Sequence, residues 1–306
     1  MRHILVIKHG ALGDIVLATG PFRAIRDAHA GDSITLLTAS SFAAFLTPSP
    51  YFDDIWIDDR PEFWRVVAWW RLFRRLRAAR FDRVYDLQTS DRSALIYRVL
   101  ACGTRLQWSG IARGCSHPHA NPRRDFLHTI ERQAEQLAAA GIASTPPPNL
   151  DWVPSDVSRF ALPPRYALVA PGGAAHRPEK RWPAERFVAI ADELRARGIA
   201  PVLIGSSGER DLLAGIARTA GAIDLGGRTE LADIVGLAQG ATLAIGNDTG
   251  PMHAAAVVGC PVIVLFSAAS DPAITAPRGP RVEVLRGPRL AELTVEEVSK
   301  RLAAWL

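Results

Sequence analysis

The sequence predicts an α/β protein of two doubly wound domains. Three observations lead there: short apolar runs alternate with helix-patterned stretches in two successive series, a Pro-rich break separates the series, and Gly-bearing loops follow several of the apolar runs. With 306 residues the chain can supply each domain with its own core. In the first series the expected strands are His3–Lys8, Ser33–Thr38, Asp54–Ile57 and Arg83–Leu87. The expected helices are Ile15–Ala28, Phe63–Ala79, Ser93–Leu100 and Thr129–Ala140. The break falls at Thr145-Pro-Pro-Pro-Asn149 and continues as an extended Pro-containing stretch to Pro163-Pro164, a stiff spacer. The expected domains are therefore residues 1–148 and 149–306.

The second series runs through strand Tyr166–Ala170, helix Ala184–Arg197, strand Pro201–Ile204, helix Glu209–Thr219, strand Ala222–Asp224, helix Glu230–Gln239 and strand Ala241–Ile245. A further helix opens near Pro251 and stops at Gly259, since Pro suits a helix start and Gly its end. Strands Pro261–Phe266 and Val282–Leu285 follow. A last helix begins at Thr294-x-x-Glu297, a capping-box pattern. Ligands of such sheets lie outside the carboxyl ends of the strands, so a cleft between two facing domains is the expected site.

Composition narrows the class. Hydrophobic residues at 48% and charged residues at 22% are those of an ordinary globular protein. No apolar run approaches the roughly 20 residues that span a bilayer, and Ile4–Ile7 is too short for the apolar core of a signal peptide. Three cysteines without C-x-x-C spacing argue against structural disulfides. Together these give the expectation of a cytoplasmic protein. The net charge of +5 lies wholly in residues 1–150, with 19 basic and 14 acidic side chains, against 17 and 17 in the rest. That points to an acidic partner of the first half. No basic-aromatic strand motif, zinc finger or helix-turn-helix signature points to nucleic acid.

Four sets of loop residues carry chemistry. After the first strand comes Lys8-His-Gly-Ala-Leu-Gly-Asp14, where Gly10 and Gly13 are expected to permit a tight turn. Asp14 stands where the next helix starts, as a helix cap or as a candidate general base facing the cleft. A dinucleotide fingerprint is excluded, because the spacing is not G-x-G-x-x-G and the second strand ends without an acidic residue. In the second half, Pro171–Pro183 holds Gly172 and Gly173, which allow close backbone approach, and Lys180. The chain uses 33 Arg and three Lys, so a Lys here suits a compact charge at a phosphate oxygen; a solvated basic loop is the plainer alternative. Gly205-Ser-Ser-Gly-Glu209 is a weaker candidate at a nucleoside. Asn247-Asp-Thr-Gly-Pro-Met-His253 sets a polar loop against a helix N-terminus, an anion site to which Thr249 and His253 add donors.

Taken together these pieces resemble glycosyltransferase family 9, the ADP-heptose:lipopolysaccharide heptosyltransferases and their relatives, over nearly the whole chain. Gly10-Ala-Leu-Gly-Asp14 looks like the family's opening motif, and Asp82-Arg-Val-Tyr-Asp-Leu-Gln88 resembles its "yDlviDlQ" strand. Lys180-Arg-Trp-Pro183 is similar to its K-x-W-P loop, and Asp248-Thr-Gly-Pro-Met-His253 to its D-[ST]-G-x-x-H signature. The resemblance implies a GT-B architecture, two Rossmann-like domains facing a central cleft, with the acceptor on the first and the nucleotide sugar on the second. It implies inverting transfer, with heptose from ADP-heptose the expected donor and a lipid-linked glycan of the lipopolysaccharide core the expected acceptor. Asp14 would be the base, with Gly10, Gly13 and Gln88 on the acceptor side. Lys180, Thr249 and Gly250 would hold the diphosphate, supported by Gly172, Gly173, Gly205, Asp248, Met252 and His253. No metal or other cofactor is then expected. Phe266-Ser-Ala-Ala-Ser-Asp-Pro272 departs from the family's more usual G-x-T-[DS]-P loop, which leaves the sugar open. A nucleotide-sugar epimerase or hydrolase of the same architecture, and a non-catalytic nucleotide-binding protein, are the alternatives.

Two weaker groups remain. Cys115-Ser-His-Pro-His119 with His128 fits no common zinc spacing. Residues 63–80 hold six Arg with Trp64, Trp69, Trp70 and Phe73; packing explains one apolar face, but three Trp exceed it. Arg with Trp at an interface is the composition of a helix lying on anionic lipid. It extends the cytoplasmic expectation to peripheral attachment at the cytoplasmic face of the inner membrane.

Overall fold

The first sheet comprises β1 (His3–Ile7), β2 (Ser33–Thr38), β3 (Asp54–Ile57), β4 (Arg83–Asp86), β5 (Gln107–Gly110) and β6 (His117–Pro118), ordered β3-β2-β1-β4-β5-β6 and parallel throughout. These come from a computed structural model that describes residues 1–62, 64–173 and 177–306. Helices α1 (Leu12–Leu17), α2 (Thr19–Ala28), α3 (Ser40–Leu46), α4 (Val66–Ala78), α5 (Asp91–Ala101) and α6 (Thr129–Ala139) flank this sheet. Ile4 to Ile7 are fully buried, as expected of a central parallel strand covered on both faces.

The second sheet comprises β7 (Tyr166–Ala170), β8 (Ala200–Leu203), β9 (Ile223–Asp224), β10 (Leu243–Asn247), β11 (Val262–Phe266) and β12 (Val282–Arg286). Its order is β12-β11-β10-β7-β8-β9, again parallel. The helices are α7 (Ala184–Ala196), α8 (Arg210–Ala220), α9 (Leu231–Gly240), α10 (Gly250–Val257), α11 (Pro272–Thr275) and α12 (Val295–Ala303). Each sheet repeats one topology, in which the strand order reverses beside the first strand of the unit. The two switch points are therefore β1/β4 and β7/β10, and a ligand crevice opens outside the carboxyl ends of such pairs.

Several local expectations shift. The single helix expected over Ile15–Ala28 is two, α1 and α2, separated at Ala18. Thr19 Oγ1 donates to Val16 O at 2.8 Å, and Pro21 has no N–H to offer Leu17. The strand expected to end at Ile245 runs to Asn247. Helix α3 and strands β5 and β6 carried no clear periodicity, because β5 reads Gln-Trp-Ser-Gly and β6 has two residues. The compact units divide between Trp152 and Val153, four residues beyond the expected boundary. The reason is packing: Asn149 N donates to Thr19 Oγ1 at 3.0 Å, and Trp152 lies against Phe45 and Tyr51. The Pro-rich stretch thus lies down on the first unit before the chain leaves it.

Helix α4 begins at Val66; Phe63, expected as its first residue, lies outside the described residues. Leu76 is buried and Leu72 and Phe73 pack on the core with α5. No helix among the described residues is long and apolar enough to cross a membrane.

Candidate functional site

At the β1/β4 switch point, the chain leaves β1 through buried Lys8 and His9. Gly10 has φ +105°, and a Cβ there would lie 2.3 Å from the Phe42 ring, so glycine is required twice over. Asp14 sits in the first turn of α1 and accepts from Ala11 N at 3.2 Å, a capping contact. Its other oxygen lies 3.9 Å from Lys8 Nζ, while the side chain keeps 42% exposure. Cap and solvent-facing carboxylate are thus the same residue. Lys8 Nζ also donates to Leu87 O at 3.3 Å. Burial pushes the Lys8 ammonium below its usual range, Asp14 opposes that, and Arg132 adds to it. Arg132 is itself lowered, first by burial and then by repulsion from Arg124. Two cations, Lys8 and Arg132, therefore act on the accessible Asp14 carboxylate, while Arg124, paired with Asp125 at 2.7 Å, stands next to Arg132.

A second network braces this end of the sheet. His9 Nε2 lies 3.0 Å from Asp58 Oδ2, and Arg92 clamps the same carboxylate through Nε and Nη2. Burial raises Asp58, but the hydrogen bonds from His9 and Arg92 and the Arg92 charge outweigh it and hold it at about 2. Gln88 Oε1 accepts from His9 N at 2.9 Å, which fixes the turn after β1 to the end of β4. Asp86, at the end of β4, is fully buried and accepts from Gln88 N and Thr89 N through Oδ1. Burial raises its carboxyl to about 6 against these bonds and the Lys8 charge.

At the β7/β10 switch point the backbone of two loops is held by two side chains. Asn247 is fully buried: Nδ2 donates to Pro171 O at 2.8 Å and to Gly172 O at 3.0 Å, and Oδ1 accepts from Trp182 N at 3.1 Å. Glu209 is the second tie. Oε1 accepts from Gly173 N at 2.6 Å, and Oε2 accepts from Ser206 N at 2.7 Å and Ser206 Oγ at 2.8 Å. A Cβ at Gly172 would fall 2.0 Å from this carboxylate, and one at Gly205 3.0 Å from it. Beside them, Lys180 Nζ donates to Asp248 Oδ2 at 2.9 Å, and Ser270 Oγ donates to the same oxygen at 2.9 Å. Thr249 is the N-cap of α10 in extended conformation, yet no side chain caps the helix; Thr249 Oγ1 bonds Asn247 O instead. The first turn of α10, beginning at Gly250, thus opens an uncapped positive end beside an ammonium, an arrangement suited to a diphosphate.

The family model Glycosyltransferase family 9 (heptosyltransferase) matches residues 69–303. The chain belongs to that family. This glycosyltransferase is 28% identical over 237 residues to lipopolysaccharide heptosyltransferase 2 of Escherichia coli (strain K12), covering 71% of this chain and 68% of that one. It superposes on the structure of E. coli ADP-heptose lps heptosyltransferase II with a TM-score of 0.79 at 22% identity, covering 100% and 98% of the two chains. The E. coli heptosyltransferase WaaC with ADP gives a TM-score of 0.78 at 20% identity over 99% and 100%. These likenesses establish the GT-B fold expected from the sequence.

Within this family 9 enzyme the expected residues fall into two groups. Asp14, Gly10 and Gln88 meet at the first switch point; Gly172, Gly173, Lys180, Gly205, Asp248, Thr249 and Gly250 meet at the second. Gly13 does not form the turn expected of it: it is buried inside α1, and the positive φ belongs to Gly10. Met252 is 1% exposed and packs beneath Gly246, so it supports the loop from below and offers no surface to a donor. His253 is likewise buried in the first part of α10. Residues 174–176 of the Lys180 loop lie outside the described residues. Three residues that hold the site were not singled out, His9, Asp58 and Glu209, and Asn247 was named only as part of the polar loop before α10. Only Glu209 carried a signal, since Ser206-x-x-Glu209 is a capping-box spacing. The Cys115–His128 group has protein partners instead of a shared ligand geometry: His119 lies against Arg124 and Glu135, Cys115 Sγ meets Gly110 O, and His128 caps α6.

Proposed function

We propose that this glycosyltransferase moves heptose from ADP-heptose to a hydroxyl of an acidic lipopolysaccharide-core acceptor, with inversion at the anomeric carbon. The observation that carries it is the division of chemistry between the switch points. One holds an accessible carboxylate beside two cations, and the other holds an ammonium beside an uncapped helix N-terminus. The chain's similarity to lipopolysaccharide heptosyltransferase 2 and to the heptosyltransferase WaaC with ADP supports heptose as the sugar and ADP as the nucleotide.

Asp14 takes the proton of the acceptor hydroxyl as its oxygen attacks the anomeric carbon. The bond from that carbon to the diphosphate oxygen breaks, and ADP leaves with the bonding pair. The charge that develops there is met by Lys180 and the N-terminal amides of α10. Lys180 has three N–H bonds, so one can remain on Asp248 while others turn to phosphate. Lys8 and Arg132 suit an acceptor that carries acidic groups beside its nucleophilic hydroxyl. These groups supply the charge without a metal, and the reaction should proceed unchanged in excess EDTA.

The test is a reaction with ADP-heptose and deacylated lipopolysaccharide core. ADP release that requires the core, together with an inverted anomeric configuration in the product, supports transfer. ADP release that ignores the core marks a hydrolase. Loss of donor without either product marks an epimerase.

A further inference from the structure

We propose that the outer face of α4 docks this enzyme on an anionic phospholipid surface. The two sides of the helix divide their work. Leu72, Phe73 and Leu76 face the core. Trp69 leaves the outer face as well, because the Arg92 guanidinium stacks on its ring at 3.9 Å. Packing therefore accounts for Trp69. On the other side Val66 is 69% exposed, Val67 61%, Trp70 55%, and Trp64 just before the helix 60%. A contiguous apolar patch of this kind on a helix that already has a core face marks a contact surface.

Charge selects the occupant. Arg65, Arg71 and Arg74 are exposed on and before the same helix. No acidic residue occurs between Trp64 and Arg80, and the nearest acids along the chain are Glu62 and Asp82. None of Arg65, Arg71 or Arg74 enters an ion pair among the described residues. Arg74 instead stacks on exposed Trp70, 4.3 Å from its ring centroid. The other helix cations are occupied structurally: Arg75 lies over Trp56, and Arg77 donates to Val99 O. Apolar and indole groups ringed by unpaired guanidinium groups fit the headgroup region of an anionic bilayer, where the rings sit at the boundary and the cations meet phosphate. A second protein chain with this face would meet like charge.

The inference stands apart from the transfer reaction, and its test needs no sugar substrate. The purified protein is sedimented with vesicles of phosphatidylcholine alone and of phosphatidylcholine with phosphatidylglycerol, at low and high salt. Binding should require the anionic lipid and fade at high salt. Arg71→Gln with Arg74→Gln should weaken it by about fivefold per charge removed. Val67→Glu with Trp70→Glu should abolish it while leaving the melting temperature and ADP binding intact, because these side chains face solvent. Absence of vesicle binding by the wild type would overturn the proposal, as would equal binding by the Glu variant. Concentration-dependent dimerisation, lost in the Glu variant and unaccompanied by vesicle binding, would also overturn it and assign the face to a second copy.

Discussion

Lys180 and Asp248 form a 2.9 Å ion pair at the second switch point, with both side chains largely shielded from solvent. The ammonium proposed for the diphosphate is therefore preoriented by a carboxylate from the neighbouring loop. Replacing Lys180 by Ala removes a full charge and leaves Asp248 beside the anion site. ADP and ADP-heptose should both bind more weakly, because the contact is with phosphate and not with sugar. The difference from wild type should shrink as salt is raised. Titration calorimetry with the two ligands checks this; unchanged ADP affinity would remove Lys180 from the diphosphate site.

Glu209 links the loop after β7 to the loop after β8 through three hydrogen bonds. Glu209→Gln cannot restore them, since its amide nitrogen would face an N–H donor on one side. The expected loss is about 1–3 kcal/mol of stability, the range for polar groups left without partners, together with weaker ADP binding. Gly172→Ala should act in the same direction, since its Cβ meets the Glu209 carboxylate. Urea unfolding and ADP titration of the two variants measure both effects.

Much of this was legible in the chain. The long apolar strands, the two αβ series and the four motif loops could be read directly, because buried parallel strands are continuous apolar runs and phosphate loops need glycine. What escaped was polar and long-range. Asp58 is separated from His9 by 49 positions and Asn247 from Pro171 by 76, and no local pattern encodes such pairs. Met252 was misplaced because a motif names positions without saying which face of the helix they occupy. Gly13 was misread because two glycines in one loop look alike until φ separates them.

Asp86 gives a pH dependence with a defined sign. Its carboxyl is raised from 3.8 to about 6 in the fold, so the native state holds this proton more tightly than the unfolded chain. The stabilisation is complete below about pH 4 and is lost as pH rises to about 6. Asp86→Asn keeps an oxygen for Gln88 N and Thr89 N but does not titrate. The stability difference between wild type and variant should therefore move against the wild type by about 3 kcal/mol between pH 4 and pH 7. Urea midpoints across that range measure it, and a flat difference would show that Asp86 is not held protonated by burial.

The most direct test of the account is the kinetics of Asp14→Asn. Asparagine can still accept from Ala11 N, so the cap of α1 survives and only the base is lost. Turnover with ADP-heptose and lipopolysaccharide core should fall by about 10²–10⁴-fold, while donor affinity and melting temperature stay near wild type. Wild-type turnover in this variant would show that Asp14 serves only as a cap, and the proposed division of chemistry between the two sheets would fail.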